Sequence, residues 1–267
     1  MTDWAEFDVN VDNGRLHGYR MGSGRPVVLA HGATDNGRCW TRVAAALADR
    51  YELIAYDARG HGRSTDVVEG WQPGADLVAV VEALGLKRPA AMGHSMGATA
   101  VGAALGVRPD LFAAAVLEDP GWGLPSVPAE SAGTGERVRS LTGWVATLQT
   151  KSLEQVIAEG RKQSPTWHDD DLPAWAESKL QFHPGTGGLG AALRVDWREQ
   201  VRAFGCPVLL VCGTPDQAIV TPEIASEAAG LNRRVDVVRL EAGHNIRREA
   251  FDGFLAAVRS FFAQHLN

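Results

Sequence analysis

Apolar positions in this chain cluster in short continuous runs rather than in the strict alternation of half-exposed strands. RPVVLAHG ends at Gly32, YELIAYD at Asp57, RPAAMGHS at Ser95, FAAAVLED at Asp119, CPVLLVCG at Gly213 and RVDVVRLEAGH at His244. Continuous apolar runs of this length predict strands buried on both faces of a parallel sheet. Between them, CWTRVAAALADR, GADLVAVVEALG, MGATAVGAALGV and PEIASEAAG carry helical spacing, as does the C-terminal REAFDGFLAAVRSFFAQH. Strand and helix in alternation predict βαβ units and a mostly parallel, doubly wound α/β sheet. The opening FDVNVDNGRLHGYRMGSG is different. Two alternating runs meet at Asp12-Asn13-Gly14, which predicts an antiparallel N-terminal hairpin.

One interval breaks the rhythm. Strand ends fall about one crossover apart, but 94 residues separate Asp119 from Gly213. The excess predicts an insertion from Gly121 to Asp196, with a core formed by 1–120 and 197–267. The insertion opens loop-rich in PGWGLPSVPAESAGTGE and turns helical in RVRSLTGWVATLQTKSLEQVIAEGRK. It contains Trp122, Trp144, Trp167 and Trp175, and Trp197 follows it. A helical insertion at the C-terminal end of a strand covers the place where such sheets bind ligands, so it is expected to be a cap. Its Gly-rich stretch 185–190 is expected to be a mobile loop. GTGGLG there matches G-x-G-x-x-G, but neither a preceding strand nor an acid twenty residues on accompanies it, so it does not read as a nucleotide site.

The charge of −6 is spread without blocks and contains no Lys/Arg cluster, which argues against nucleic acid or an anionic membrane as partner. No apolar run approaches a membrane span and no signal peptide is visible at the N-terminus. Cys39, Cys206 and Cys212 have no metal spacing and read as buried thiols, so the expected location is cytoplasmic.

Gly93-His94-Ser95-Met96-Gly97 fits G-x-S-x-G between a strand and a small-residue helix. A sharp strand-to-helix turn there would lift the serine Oγ above the sheet. With LAHGATDNGRCW, YDARGHGRS, VLLVCGTPDQAIVTP and LEAGHN in order, the chain resembles the α/β-hydrolase family over nearly its whole length. It is most similar to the small capped esterases, lactonases and carbon–carbon bond hydrolases. The resemblance implies Ser95 as nucleophile and His244 as base. It implies Asp216 as the acid that orients His244, with Asp119 as the alternative acid. The oxyanion donors it implies are the amides of Met96 and Ala33, a donor of this kind being worth about 3 kcal/mol. The sequence HGAT, in place of HGGG, argues against bulky tertiary-alcohol esters.

His94 is expected to point away from the nucleophile, His31 and His61 to be structural, and Asp57, Arg59 and His61 to form an internal ion pair beneath the site. Asn36, Trp40, Trp122, Trp144 and Trp167 are the candidate substrate-binding residues. The expected function is a cofactor-free, metal-free serine hydrolase acting on a small hydrophobic ester or lactone through an acyl-enzyme. Cleavage of a carbon–carbon bond in a diketone-like acid by the same triad, or a triad-retaining ligand sensor with slow turnover, are the alternatives. Epoxide hydrolase or dehalogenase chemistry is disfavoured because the elbow residue is serine, not aspartate.

Overall fold

The computed structural model describes residues 4–123, 132–183 and 196–266, with the side chains of 132–139 left aside. Eight strands form one sheet: β1 (Ala5–Val11), β2 (Gly14–Gly22), β3 (Arg25–Ala30), β4 (Tyr51–Tyr56), β5 (Ala90–His94), β6 (Ala114–Glu118), β7 (Val208–Cys212) and β8 (Val235–Arg239). Their spatial order is β1-β2-β4-β3-β5-β6-β7-β8. The hairpin β1–β2 is antiparallel, with Val11 opposite Gly14 and Asn13 at φ 58° in the turn. β2 also runs antiparallel to β4, and all later pairs are parallel.

Helices cover both faces. Val27 and Leu29 of β3 point to one core with Val43 and Leu47 of α1 (Thr41–Leu47) and Phe254 and Phe262 of α10 (Phe251–His265). Val28 and Ala30 point to the other. There they join Leu77 and Val80 of α2 (Pro73–Ala83), Val101 and Leu105 of α3 (Met96–Val107), Val201 of α7 (Trp197–Ala203) and Ala228 of α8 (Pro222–Leu231). The period-two split of β3 explains why its run is continuously apolar: each face has its own helices. Burying one such side chain contributes roughly 1.5–3 kcal/mol. β8 departs from the expectation of burial on both faces. It is the edge strand, and Asp236 and Val237 are exposed.

Two predicted helices are each split. The run 137–162 divides into α4 (Ala132–Leu148) and α5 (Leu153–Gln163), because Ser152 and Gln155 form a capping box that starts a new helix. The C-terminal run divides into a short α9 (Ile246–Glu249) and α10, with Ala250 leaving helical geometry at φ −124°, ψ 51°. With α6 (Leu172–Leu180), α4 and α5 make up the described part of the insertion. Leu148, Val156, Trp175 and Ala176 give it a small core of its own. The Gly-rich stretch 185–190 lies outside the described residues. No described helix is long and apolar enough to cross a membrane.

Strand order reverses between β3 and β5, since the chain proceeds outward from them in both directions. Loops leaving neighbouring strands part there and open a crevice at their C-terminal ends.

Candidate active site

Ser95 sits at that crevice, between β5 and α3, at φ 53° and ψ −113°. A non-glycine residue in this region costs on the order of 1–3 kcal/mol. Two glycines make the turn possible. A Cβ on Gly93 would lie 2.4 Å from the carbonyl oxygen of Gly97, and one on Gly97 would lie 2.1 Å from that of Ala30. The Ser95 amide donates to the Glu118 carbonyl on β6 (2.9 Å), and the Ser95 carbonyl accepts from the Thr99 amide (2.9 Å), which starts the helix.

His244 reaches the same crevice from the loop after β8. Its Nδ1 lies 2.6 Å from Oδ2 of Asp119, leaving Nε2 as its other ring nitrogen. Asp119 is fully buried, with φ 42°, on the turn that leaves β6. Its carboxylate also accepts from the amides of Ile219 (2.9 Å) and Val220 (2.8 Å). Three donors therefore hold one carboxylate in a fixed orientation. This corrects the assignment of the acid to Asp216, whose side chain is exposed on the turn Pro215–Gln217. The loop after β7 aims its backbone amides at the Asp119 carboxylate, and the carboxylate itself follows β6.

His94 does not simply point away from Ser95. It is buried beside His244, with ring centroids 4.8 Å apart, and lines the same pocket. Its Nε2 contacts the backbone carbonyl of His244 at 3.1 Å. Burial, then the charges of Arg247 and His244, push its pKa well below the usual histidine value, so it stays neutral and ties down the loop that carries His244.

Ala33 follows β3 on the opposite lip. Its carbonyl faces Nε2 of His61 (2.8 Å), whose Nδ1 faces the carbonyl of Arg59 (2.8 Å). Burial lowers the His61 pKa, and a neutral ring can donate to one of these at a time. His31 takes the Ala58 amide at Nε2 (2.9 Å) and places Nδ1 2.8 Å from the Gly32 carbonyl, and burial lowers its pKa to about 3. Both histidines therefore shape the backbone around Ala33. The expected internal ion pair is also redrawn. Arg59 pairs with Asp76 (3.0 Å), whereas Asp57 accepts from the amides of Gly37 (2.8 Å) and Arg63 (2.9 Å). Met96 opens α3, where first-turn amides have no partner within the helix.

A cavity of about 490 Å³ joins these parts. Gly32, Ala33, Ser95 and His244 line its floor, and Leu141, Trp144, Trp167, Trp175 and Ile219 line its walls. Trp144 and Trp167 are where the sequence expected them; three other candidates are not. Trp122 is buried in the core, stacked 5.1 Å from Trp197. Trp40 is buried beneath the Arg247 guanidinium, 4.7 Å from its ring centroid. Asn36 is buried and donates to Gln181 Oε1 (3.0 Å). None of the three lines the pocket; from the loop after β3 it is Gly32 to Asp35 that do.

Sequence reasoning missed a buried ionic cluster at the pocket's edge. Asp35 meets Lys179 (3.0 Å), Arg247 (2.8 Å) and Arg248 (2.9 Å), and Glu118 pairs with Arg247 (3.2 Å). Burial favours the protonated form of Asp35, but Arg248, Lys179 and Arg247 overcome it and hold the carboxyl well below its usual range. Burial prevails at Glu118 and raises its pKa. Lys179 also donates to the carbonyl of Thr34 (2.6 Å), which fastens α6 to the loop that carries Ala33. Among the described residues no His, Cys, Asp and Glu group is arranged to hold a metal ion.

A doubly wound sheet with a strained serine at the strand-to-helix turn and a His–Asp pair on the same rim defines a recognised class of α/β protein. The model of the alpha/beta hydrolase family matches residues 27–257, and the chain belongs to that family. N-formylmaleamate deformylase of Pseudomonas putida is 28% identical over 263 residues, 95% of each chain. An epoxide hydrolase of Caballeronia sordidicola is 32% identical over 140 residues, 50% of this chain and 41% of that protein. Among solved structures, that of E-2-(acetamidomethylene)succinate hydrolase superposes with a TM-score of 0.77 at 22% identity, covering 98% of this chain and 100% of the other.

Proposed function

We propose that this chain is a cofactor-free serine hydrolase that cleaves a carboxylic ester or lactone through an acyl-enzyme. Ser95 Oγ attacks the carbonyl carbon while His244 Nε2 takes its proton. The imidazolium then returns that proton to the leaving oxygen, and a water activated by the same histidine releases the acyl group. Asp119 holds the Nδ1 proton, fixes the tautomer and offsets the positive ring. The amides of Ala33 and Met96 are the donors for the oxyanion, each worth about 3 kcal/mol. Helices α4 to α6 serve as the cap, and its tryptophans favour an apolar or aromatic group next to the scissile bond. The observation that carries the reading is the 2.6 Å contact between His244 and Asp119 in the pocket that Ser95 also lines.

The test combines a chromogenic aryl ester with a serine-reactive phosphonate. Burst release of the phenol and labelling of Ser95 alone are expected. Labelling of another serine, or turnover that survives Ser95→Ala, would overturn the mechanism. Steady turnover separates it from a ligand sensor, which would release one equivalent and stop. A deformylase among the relatives makes an N-formyl amide the second substrate to assay.

A further inference from the structure

The ionic cluster beside the pocket does not balance. Among the described residues, Asp35 and Glu118 are its two carboxylates, and Lys179, Arg247 and Arg248 are its three cations, all of them buried. The nearby Arg42 and Asp171 pair with each other (3.1 Å) and do not change the count. The acceptors are also spent. Asp35 gives Oδ1 to Lys179 and Oδ2 to both arginines, and Glu118 faces Arg247. An uncompensated buried cation is costly, and proteins pair or hydrogen-bond nearly every such group.

The surplus is local to one side chain. Arg248 lines the cavity that holds Ser95 and His244. Its two terminal nitrogens donate once each, to Asn245 Oδ1 (3.1 Å) and Asp35 Oδ2 (2.9 Å). Its Nε has no partner among the described residues although it is buried. A guanidinium has five N–H donors in a planar fork, so three remain unused among the described residues. Trp167, another wall of the cavity, lies beneath the guanidinium, whose carbon is 4.5 Å from the ring centroid. The pocket lining mixes the three tryptophans with polar groups, Asp35 among them, and Asp35 is already engaged by Lys179, Arg247 and Arg248. A donor-rich arginine held over an aromatic ring at the edge of such a pocket is suited to a planar anion, which a carboxylate matches in two parallel hydrogen bonds.

We propose that the pocket takes a substrate carrying a carboxylate away from its scissile bond, and that Arg248 binds it. The inference rests on the hydrolase reading and narrows it from hydrophobic esters to esters of acidic compounds. It gives the aromatic walls and the cation separate work: Trp144 and Trp175 pack the carbon skeleton, and Arg248 sets which end faces Ser95. An uncharged Lys179, whose pKa burial lowers, would cancel the surplus. In that case the pocket would show no preference for an anion.

The test uses matched pairs that differ only in charge. 4-Nitrophenyl hydrogen glutarate is compared with its methyl-capped diester, and 4-acetoxyphenylacetic acid with its methyl ester, after subtraction of spontaneous hydrolysis. In at least one pair, kcat/KM should favour the free acid tenfold or more. That ratio should collapse towards one in Arg248→Gln and recover in part in Arg248→Lys. Glutarate titrated by calorimetry into the wild type should bind at least tenfold more tightly than neutral glutaramide, and the difference should vanish in Arg248→Gln. Ratios near one in both pairs together with equal binding of glutarate and glutaramide would overturn the proposal. So would a preference that Arg248→Gln leaves intact. Selective glutarate binding without turnover of any ester would keep the anion site and refute the hydrolase reading instead. If Arg248→Gln does not fold, the wild-type ratios and the glutarate–glutaramide comparison decide the matter alone.

Discussion

Replacing Asp119 by asparagine tests the site at its most informative atom. When Ser95 gives up its proton, His244 becomes positive 2.6 Å from Asp119 Oδ2. At an effective dielectric of about 20, a charge pair at that distance is worth about 6 kcal/mol. The His244 side chain is 32% exposed, which screens part of this, and about 4–5 kcal/mol is the share expected in the transition state. At 1.36 kcal/mol per factor of ten, Asp119→Asn should lower kcat by about three to four orders of magnitude. The fold should survive with a measurable penalty. Both carboxylate oxygens accept backbone amides, from Ile219 and Val220, so the asparagine NH2 must face one of them. A buried donor left facing a donor costs roughly 1–3 kcal/mol, and the melting temperature should fall accordingly. Asp216→Asn, on an exposed turn, should change kcat by less than about threefold and leave the melt unchanged. The assay is steady-state hydrolysis of 4-nitrophenyl acetate by the two purified variants, beside thermal unfolding. A full-rate Asp119→Asn, or a collapse in Asp216→Asn, would refute the reasoning.

Ser95→Ala should abolish hydrolysis and melt no lower than the wild type, because it removes a hydroxyl from a strained turn; retention of most of kcat would exclude Ser95 as nucleophile. Trp167→Ala should alter kcat/KM ratios among aryl and alkyl esters by tenfold or more with a small change in melting temperature; an unchanged ranking of substrates would place Trp167 outside the binding surface. His31 and His94 are held neutral by burial, His31 with a pKa of about 3. The unfolded chain, with histidines near 6.5, therefore takes up protons first, and stability is expected to fall as pH drops below about 6.5, by up to 1.36 kcal/mol per pH unit for each histidine. Melting temperatures that stay flat from pH 7 to 5 would contradict this.

The sheet was legible because each buried strand had to be apolar on both faces, and helices such as α1 and α8 because their burial follows helical spacing, whereas α3 is buried nearly all round and shows itself by its small residues. β8 was misread as fully buried since an apolar run does not say whether a neighbour covers its second edge. Ser95 was legible because the turn demands glycines on both sides of it, Gly93 against the backbone of Gly97 within the turn and Gly97 against Ala30 on the neighbouring strand. The lining residues were legible only in part. Trp122, Trp40 and Trp144 look alike in sequence, and only packing against Trp197 and Arg247 removes the first two from the pocket. The ionic cluster joins positions 35, 118, 179, 247 and 248, and no local pattern connects them.

The acid shows most directly what sequence position leaves open. Asp119 and Asp216 both follow strands and both lie on the rim, so order along the chain does not separate them. Register does. β5 and β6 are neighbours with His94 opposite Glu118, so Ser95 and Asp119 are the first residues beyond two paired strand ends. Both have positive φ, and the Ser95 amide donates to the Glu118 carbonyl, which locks one turn to the other. A carboxylate at Asp119 is thus one strand away from the nucleophile, whereas one after β7 would be two strands away. The loop after β7 keeps a part in the site by a different route. It contributes the Ile219 and Val220 amides, which hold the Asp119 carboxylate at the angle that His244 needs. The His–Asp contact therefore rests on both loops, one for the carboxylate and the other for the donors that orient it. For that reason, shortening the 214–220 loop should damage the site as surely as removing the acid.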